Sequence, residues 1–342
     1  MKRIIIFRAD RLGDFLIISN IIKAIKKKYT DSHITVVGSQ FNSNFIKLYK
    51  VIDKVIIYDR KSSIKEKIKI LKDITKNEYF CSLSLDGKSF SNIANFFLKA
   101  KFKFGISYRF NLFNFIKWSK PNFVYNYFVF DRYEFFTSKK NLSKIEHLPS
   151  ILIKLANNLK LNLNSKKEYF YEIKNKALIN SKKLFQQKIK KKFVLIHLDE
   201  KWNDVLHINE VFFNELINFK NETKYKLVLT SNRNNHLYYK NIKKKLSNHK
   251  DILFLENLSL ELLERIMSMS SYTVSCHSGF IVQIAGFNKT KVIDVINKKD
   301  LIWYSCWKPL NTKHKFVFKS NYNKKIDLNF IFKQIINVSK TF

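Results

Sequence analysis

Acids are scarce in this chain: 27 Asp and Glu stand against 64 Lys and Arg, a formal charge of +37. Glycine (6), proline (3) and cysteine (3) are scarcer still. Part of the imbalance is a general compositional bias, because lysine is spread almost everywhere while alanine, glycine and proline are depleted. Bias alone seldom leaves so few acids, so an anionic surface or ligand is expected as well. Cys81, Cys276 and Cys306 are odd in number and lack metal-ligand spacing, which suits a reducing compartment and gives no metal site. Apolar runs such as Phe15–Ile18 fall far short of the roughly 18 residues that a membrane span needs. Met1-Lys2-Arg3 followed by four apolar residues is too short for a signal peptide. A cytoplasmic protein is expected, held by charge to the cytoplasmic face of an inner membrane if it meets one. Walker loop, GxGxxG, HExxH, paired-cysteine and nucleophile-elbow motifs are all absent from the sequence. The lysines are diffuse and no recognition motif accompanies them, so no nucleic-acid partner is expected.

What is present is core material: 46% apolar and 15% aromatic residues, with 32 Phe, in 342 residues. That suffices for two domains. Strands are expected at Ile4–Phe7, Ile34–Val37, Val55–Tyr58, Phe80–Leu85 and Phe102–Gly105. Between them lie helical patterns at 14–29, 41–49, 64–76 and 90–99. Segment 106–146 reads as an aromatic, irregular excursion before a helix over His147–Leu159. A polar, lysine-rich stretch with a helix at 176–190 follows, and the domain boundary is expected near 165–175. The second series has strands at Phe193–His197, Lys226–Thr230, Ile252–Leu255, Tyr272–Ser275 and Lys291–Ile296. Its helices are 208–218, 237–246, 259–268 and 280–287, with Ser259 as an N-cap. A last amphipathic helix covers about 327–338. Alternation of this kind makes an α/β protein of two doubly wound parallel sheets, Rossmann-like, facing a central cleft. The domains are read as 1–168, 169–326 and a closing helix, 327–342, at the junction.

Ligands in such sheets bind at strand carboxyl ends, so the loops there carry the candidates. Arg8-Ala9-Asp10-Arg11-Leu12-Gly13-Asp14 joins the first strand to a helix opened by Asp14. Asp14 reads either as a helix-cap acid favoured by the macrodipole or as a general base. Asp10 reads as a loop acid paired with Arg8 or Arg11. Ser275-Cys276-His277-Ser278-Gly279-Phe280 runs from a strand into a helix. The N–H groups of Ser278, Gly279 and Phe280 make either an anion site or a plain tight turn. Lys201 follows the first strand of the second half and suits a phosphate, or is a solvated surface lysine. The loop with Thr230, Ser231 and Asn234 offers hydroxyls and amides for a ribose or base, or is a polar turn. Arg60, Lys61 and Lys88 are cations at strand ends of the first half, or solvated loops.

Together these segments resemble glycosyltransferase family 9, the ADP-heptose:lipopolysaccharide heptosyltransferases. The resemblance rests on Arg8…Arg11-Leu12-Gly13-Asp14, Leu85-Asp86-Gly87-Lys88-Ser89, the helix from His147, Ile196-His197, Leu229-Thr230-Ser231, and Leu258-Ser259-Leu260-Glu261-Leu262 through Ser278-Gly279…Ala285-Gly286-Phe287, in order along nearly the whole chain. It implies a GT-B-like fold and an inverting, metal-independent transfer of a heptose or related sugar. The substrate would be a nucleotide-sugar, ADP-linked in the family, with no further cofactor. It implies that Asp14 is the base, that Lys201, Ser278, Gly279 and Phe280 hold the donor diphosphate, and that His277, Thr230, Ser231 and Asn234 lie near donor sugar or nucleoside. Arg11, Arg60, Lys61 and Lys88 would face an anionic lipid-linked glycan acceptor at the inner membrane surface. The sequence departs from the family pattern at His277, where the family has Asp, at Val282, where it has His, and in the Lys201 loop, which lacks the usual Pro-Gly. Another sugar nucleotide, or a catalytically weakened relative that only binds an anionic glycan or lipid surface, is the alternative these departures raise.

Overall fold

The computed structural model describes residues 1–108, 111–112, 116–117, 124–131, 147–164, 192–231, 237–287, 290–309, 313–320 and 325–342. The chain divides into two compact units, Met1–Glu172 and Ile173–Phe342.

The first unit contains β1 (Arg3–Arg8), α1 (Leu12–Lys28), β2 (His33–Gly38), α2 (Ser43–Ile46), β3 (Lys54–Ile57), α3 (Ile64–Thr75), β4 (Glu78–Ser84), α4 (Ser89–Phe97) and β5 (Lys99–Tyr108). A two-residue ribbon, β6 (Asn111–Leu112) with β7 (Ile116–Lys117), precedes β8 (Tyr127–Asp131) and α5 (Leu148–Ala156). Its main sheet has the order β3-β2-β1-β4-β5-β8, and every pairing is parallel. Central β1 reads Ile4-Ile5-Ile6-Phe7, all fully buried, as a strand covered by helices on both faces must be. On one face Ile5, Phe7 and Val37 meet Ile74 of α3 and Ala94 of α4. α3 is started by a reciprocal cap: the Glu66 amide donates to Ser63 Oγ (3.3 Å) and the Ser63 amide to Glu66 Oε2 (2.9 Å).

The second unit repeats the scheme with β9 (Phe193–His197), α6 (Asn203–Leu206), α7 (Asn209–Thr223), β10 (Lys226–Ser231), α8 (Leu237–Leu246), β11 (Ile252–Glu256) and α9 (Leu260–Met269). It continues through β12 (Tyr272–Ser275), α10 (Gly279–Phe287), β13 (Val292–Ile296), α11 (Leu301–Cys306), β14 (His314–Phe318) and α12 (Leu328–Lys340). The sheet order is β11-β10-β9-β12-β13-β14, again parallel throughout. Ser259 caps α9 by accepting from the Leu262 amide (3.3 Å), and Asp327 caps α12 from the Phe330 amide (3.0 Å). The closing helix packs into this unit's own core: Phe332 meets Phe212 and Phe219 at 5.8 and 5.7 Å between ring centres. Truncating such a buried ring costs about 3–5 kcal/mol.

Three readings of the sequence need correction. The excursion at 106–146 contains a sixth strand, β8, whose Tyr127 stacks on Phe104 at 5.0 Å. The helix expected at 41–49 is the single turn α2. Its start is bent by Asn42, which donates to the Arg8 carbonyl (2.9 Å) and accepts from the Ser39 amide (2.8 Å). The first helix begins at Leu12, so Gly13 lies inside it and Asp14 is its third residue rather than its opener. The helix expected at 176–190 lies outside the described residues.

Candidate functional site

In the first unit the carboxyl ends of β1 and β4 gather one buried cation and three acids. Arg8 ends β1 and is 2% exposed. Its Nε donates to the Asp14 carbonyl (2.9 Å) and its Nη1 to the Leu85 carbonyl. The same guanidinium lies 3.6 Å from both Asp10 and Asp14 carboxylates. Asp14 Oδ2 accepts from the Arg11 amide (3.1 Å), which caps α1. Asp14 thus caps its own helix, with 27% of its side chain still open to solvent. Burial pushes its carboxyl above the usual carboxylate range, and Arg8 offsets only part of that rise. Asp86 is buried and accepts from the Ala9 amide (3.1 Å), the Lys88 amide (3.1 Å) and Ser91 Oγ (3.0 Å). It fixes the two loops against each other, and burial raises its carboxyl too.

Lys88 is brought into this cluster, its Nζ 3.1 Å from Asp10 Oδ1. Arg11 is exposed at the start of α1. Arg60 and Lys61 are exposed after β3 and bond locally: Lys67 of α3 donates to the Arg60 carbonyl (2.8 Å) and the Lys61 amide to Asp59 (2.9 Å). A separate cavity lined by Arg3, His33, Lys54 and Tyr79 opens at the amino ends of the strands. That is the end where ligands of such sheets do not bind.

In the second unit a denser cluster surrounds the β12–α10 turn. Lys201 Nζ donates to the His277 carbonyl (2.6 Å), joining two segments 76 residues apart. Asp199 accepts from the Lys201 amide (3.0 Å) and a hydrogen bond from Ser278 also reaches it. Burial pushes Asp199 up to about 6 against the opposing pull of Lys201. The Ser278 amide donates to Ser275 Oγ (3.0 Å). It is therefore spent inside the turn, which corrects the expectation that it points at a ligand. Gly279 is exposed, and a Cβ added there meets nothing within 4 Å. Phe280 is buried.

His277 has φ +45°, a conformation that costs a non-glycine residue about 1–2 kcal/mol. Asp294 holds it there. One carboxylate oxygen accepts the His277 amide (2.7 Å) and the other its Nδ1 (2.6 Å). His314 Nε2 lies 3.3 Å from the same oxygen as Nδ1. Burial alone would raise Asp294, which has no exposed surface, but the two histidines outweigh it and hold the carboxyl at about 2. The His277 ring stacks on Tyr304 at 3.4 Å, and Lys201 Nζ sits 5.5 Å from the same tyrosine ring.

Thr230 and Ser231 are buried at the end of β10. Thr230 Oγ1 pairs with His197 Nδ1 (2.8 Å), a histidine that burial lowers to about 4. Asn234 lies outside the described residues. Asp294 and Tyr304 went unassigned from sequence. Asp294 had a readable signal, a lone acid inside the apolar run Val292-Ile293-Asp294-Val295-Ile296. Arg8 is also missed as the organiser of its loop, because its withdrawal onto the Asp14 and Leu85 carbonyls is made by the fold and leaves no mark in the sequence. No three His, Cys, Asp or Glu side chains among the described residues are grouped to hold a metal ion.

No family model matches the sequence and no curated protein is similar to it. Solved structures do match. A glycosyl transferase of family 9 from Veillonella parvula superposes with TM-score 0.67 at 14% identity, covering 99% of this chain and 96% of its own. The E. coli heptosyltransferase WaaC with ADP gives 0.62 at 14%, covering 98% and 99%. A UDP-GlcNAc 2-epimerase from Neisseria meningitidis, bound to UDP-GlcNAc, gives 0.52 at 13%, covering 99% and 92%. The fold is thus the GT-B-like pair of parallel-sheet α/β domains. At such identities the likeness fixes architecture, and chemistry has to be argued from the residues.

Proposed function

We propose that this chain is an inverting, metal-independent glycosyltransferase that moves a heptose or related sugar from a nucleotide-sugar donor to an anionic, lipid-linked cell-surface glycan. The observation that carries the reading is Asp14: a part-exposed carboxylate, raised by burial, beside Arg8 at the carboxyl end of β1. A base of raised pKa takes the acceptor hydroxyl's proton as its oxygen forms a bond to the anomeric carbon. The bond from that carbon to the diphosphate breaks, and its electron pair leaves on the phosphate oxygen. Attack from the face opposite the leaving group inverts the anomeric centre. Lys201 and the amino end of α10 stabilise the charge that develops on the diphosphate. Lys88, Arg60, Lys61 and Arg11 suit an anionic acceptor by charge alone.

An ADP-linked sugar is the first donor to test, on the likeness to a heptosyltransferase solved with ADP. The reading includes a place at the cytoplasmic face of an anionic membrane. No described helix is long and apolar enough to cross a membrane. The outer face of α4 instead exposes Ile93, Phe96 and Phe97 by half or more, next to Lys99 and Lys101. Exposed aromatic side chains with lysines close by in sequence suit the interface of an anionic bilayer.

The test is release of ADP or UDP from a panel of sugar nucleotides with lipid-linked acceptors. Asp14→Asn keeps an oxygen for the Arg11 amide, so the cap survives while the base is lost. Turnover should fall at least about 100-fold with donor affinity retained. Equal turnover by the variant removes Asp14 from the chemistry. Donor binding without release by either protein makes the chain a binding relative.

A further inference from the structure

The pairing of His277 with Asp294 is not explained by holding a turn together. A serine or asparagine would cap it, and a glycine would take the φ of +45° without strain. Instead a fully buried carboxylate grips both the amide and Nδ1 of one histidine. The grip fixes the ring's orientation and puts the hydrogen on Nδ1. His277 itself is nine-tenths buried, its ring flat against Tyr304. Its Nε2 is neither sealed off nor bonded to any described residue. That atom belongs to the residue two places before the nine-residue helix α10, whose carbonyl also receives Lys201 Nζ.

We propose that His277 is a phosphate-contacting residue, donating from Nε2 to a phosphate oxygen of a nucleoside diphosphate, and that Asp294 is its positioning residue. In the complex both ring nitrogens carry hydrogen, and the buried Asp294 carboxylate balances the resulting charge. Lys201 and the positive end of α10 act on the same anion. Asp199 is the acid that faces the turn, where the Lys201 amide holds it. His314 is the second partner of Asp294 and stays sealed. The inference rests on reading this turn as the nucleotide-sugar site. It assigns to the diphosphate a residue that the family resemblance had placed near the donor sugar or nucleoside, and adds an acid that the resemblance had not placed at all.

The experiment uses the full chain with 15N-labelled histidine, titrated with ADP and, separately, with inorganic pyrophosphate. The Nε2 resonance of His277 should move with both ligands, and both ring nitrogens should be protonated at saturation. His277→Gln and Asp294→Asn should each weaken ADP binding about tenfold or more. Because Asp294 acts through His277, the double variant should bind no more weakly than the weaker single one. The wild-type spectrum needs no variant, so it decides the matter even if Asp294→Asn fails to fold. An Nε2 signal unmoved by saturating pyrophosphate, ADP affinity unchanged in His277→Gln, or a wild-type chain that binds neither ligand overturns the proposal. Ligand binding through His277 without sugar transfer from any donor leaves it standing and removes the glycosyltransferase reading. Sugar transfer unaffected in kcat and KM by His277→Gln does the reverse.

Discussion

Replacing Asp199 by Asn should make the second unit more stable at neutral pH, although it removes a charge next to Lys201. The Asp199 carboxyl is lifted from the usual 3.8 to about 6, chiefly by burial. A folded-state value above the unfolded one means that the native chain holds this proton more tightly. Its contribution to stability is therefore fully present below pH 3.8 and is lost as pH rises through 6. Above that the ionised carboxylate opposes folding by about 3 kcal/mol, from about 1.4 kcal/mol per tenfold change. Asparagine keeps an oxygen for the Lys201 amide and has no charge to strand. The ionised carboxylate should then favour the variant by about 1 kcal/mol near pH 4.5, with the gap widening by about 2 kcal/mol at pH 8. Urea unfolding followed by tryptophan emission reads this unit well, because Trp202, Trp303 and Trp307 are three of the four tryptophans. Trp202 itself is buried three residues from the substitution. A gap that does not change between the two pH values refutes the reasoning, and a widening gap of opposite sign refutes the assigned direction.

Two further outcomes follow from packing and exposure. A Cβ at Gly105 would lie 2.2 Å from the ring of Tyr125, which is buried and donates to Asn92. Gly105→Ala should cost about 1–3 kcal/mol, read as faster amide exchange in β4 and β5, and Tyr125→Leu should recover part of it in the double variant. Phe96→Ser with Phe97→Ser should weaken binding to phosphatidylglycerol vesicles by about 2 kcal/mol, roughly 30-fold. Equal co-sedimentation of the double variant and wild type would detach α4 from the membrane reading.

The order of elements was legible because buried parallel strands are apolar runs and the covering helices repeat every three to four residues. Ser259 announces a helix start by chemistry that needs no tertiary partner. Of the missed strands, β6 and β7 make the separate two-residue ribbon, and β8 and β14 are edges of the two main sheets. His314-Lys315-Phe316-Val317-Phe318 mixes polar and charged with apolar residues, although only Lys315 is exposed, so it makes no continuous apolar run. Tyr127–Asp131 lies in a stretch where aromatics are everywhere, so its run has no contrast. Asp14, Lys201 and the Ser278-Gly279 turn stood out through position in the alternation. What these residues do to one another did not, since the grip of Asp294 on His277 spans 17 residues and that of Lys201 on the His277 carbonyl spans 76.

The scarcity of acids sharpens what the remaining ones mean. In a chain of 27 acids and 64 bases, a surface carboxylate finds a lysine with ease and gains little from it. Withdrawing a carboxylate from water is costly, and Asp86 and Asp294 are nevertheless buried at strand ends or inside a strand. Their surroundings drive the group in opposite directions. Asp14, Asp86 and Asp199 are raised by burial, whereas two histidines force Asp294 down to about 2. Carboxylates pushed apart in this way are equipped for different tasks, proton transfer or fixed charge. Asp86, buried and accepting from three donors, braces its loops. Asp294, sealed and ionised, suits a permanent counter-charge behind His277. Asp14 and Asp199 each combine a raised carboxyl with partial exposure, as a proton acceptor requires, and Asp14 is the one of the two beside Arg8 at the end of β1.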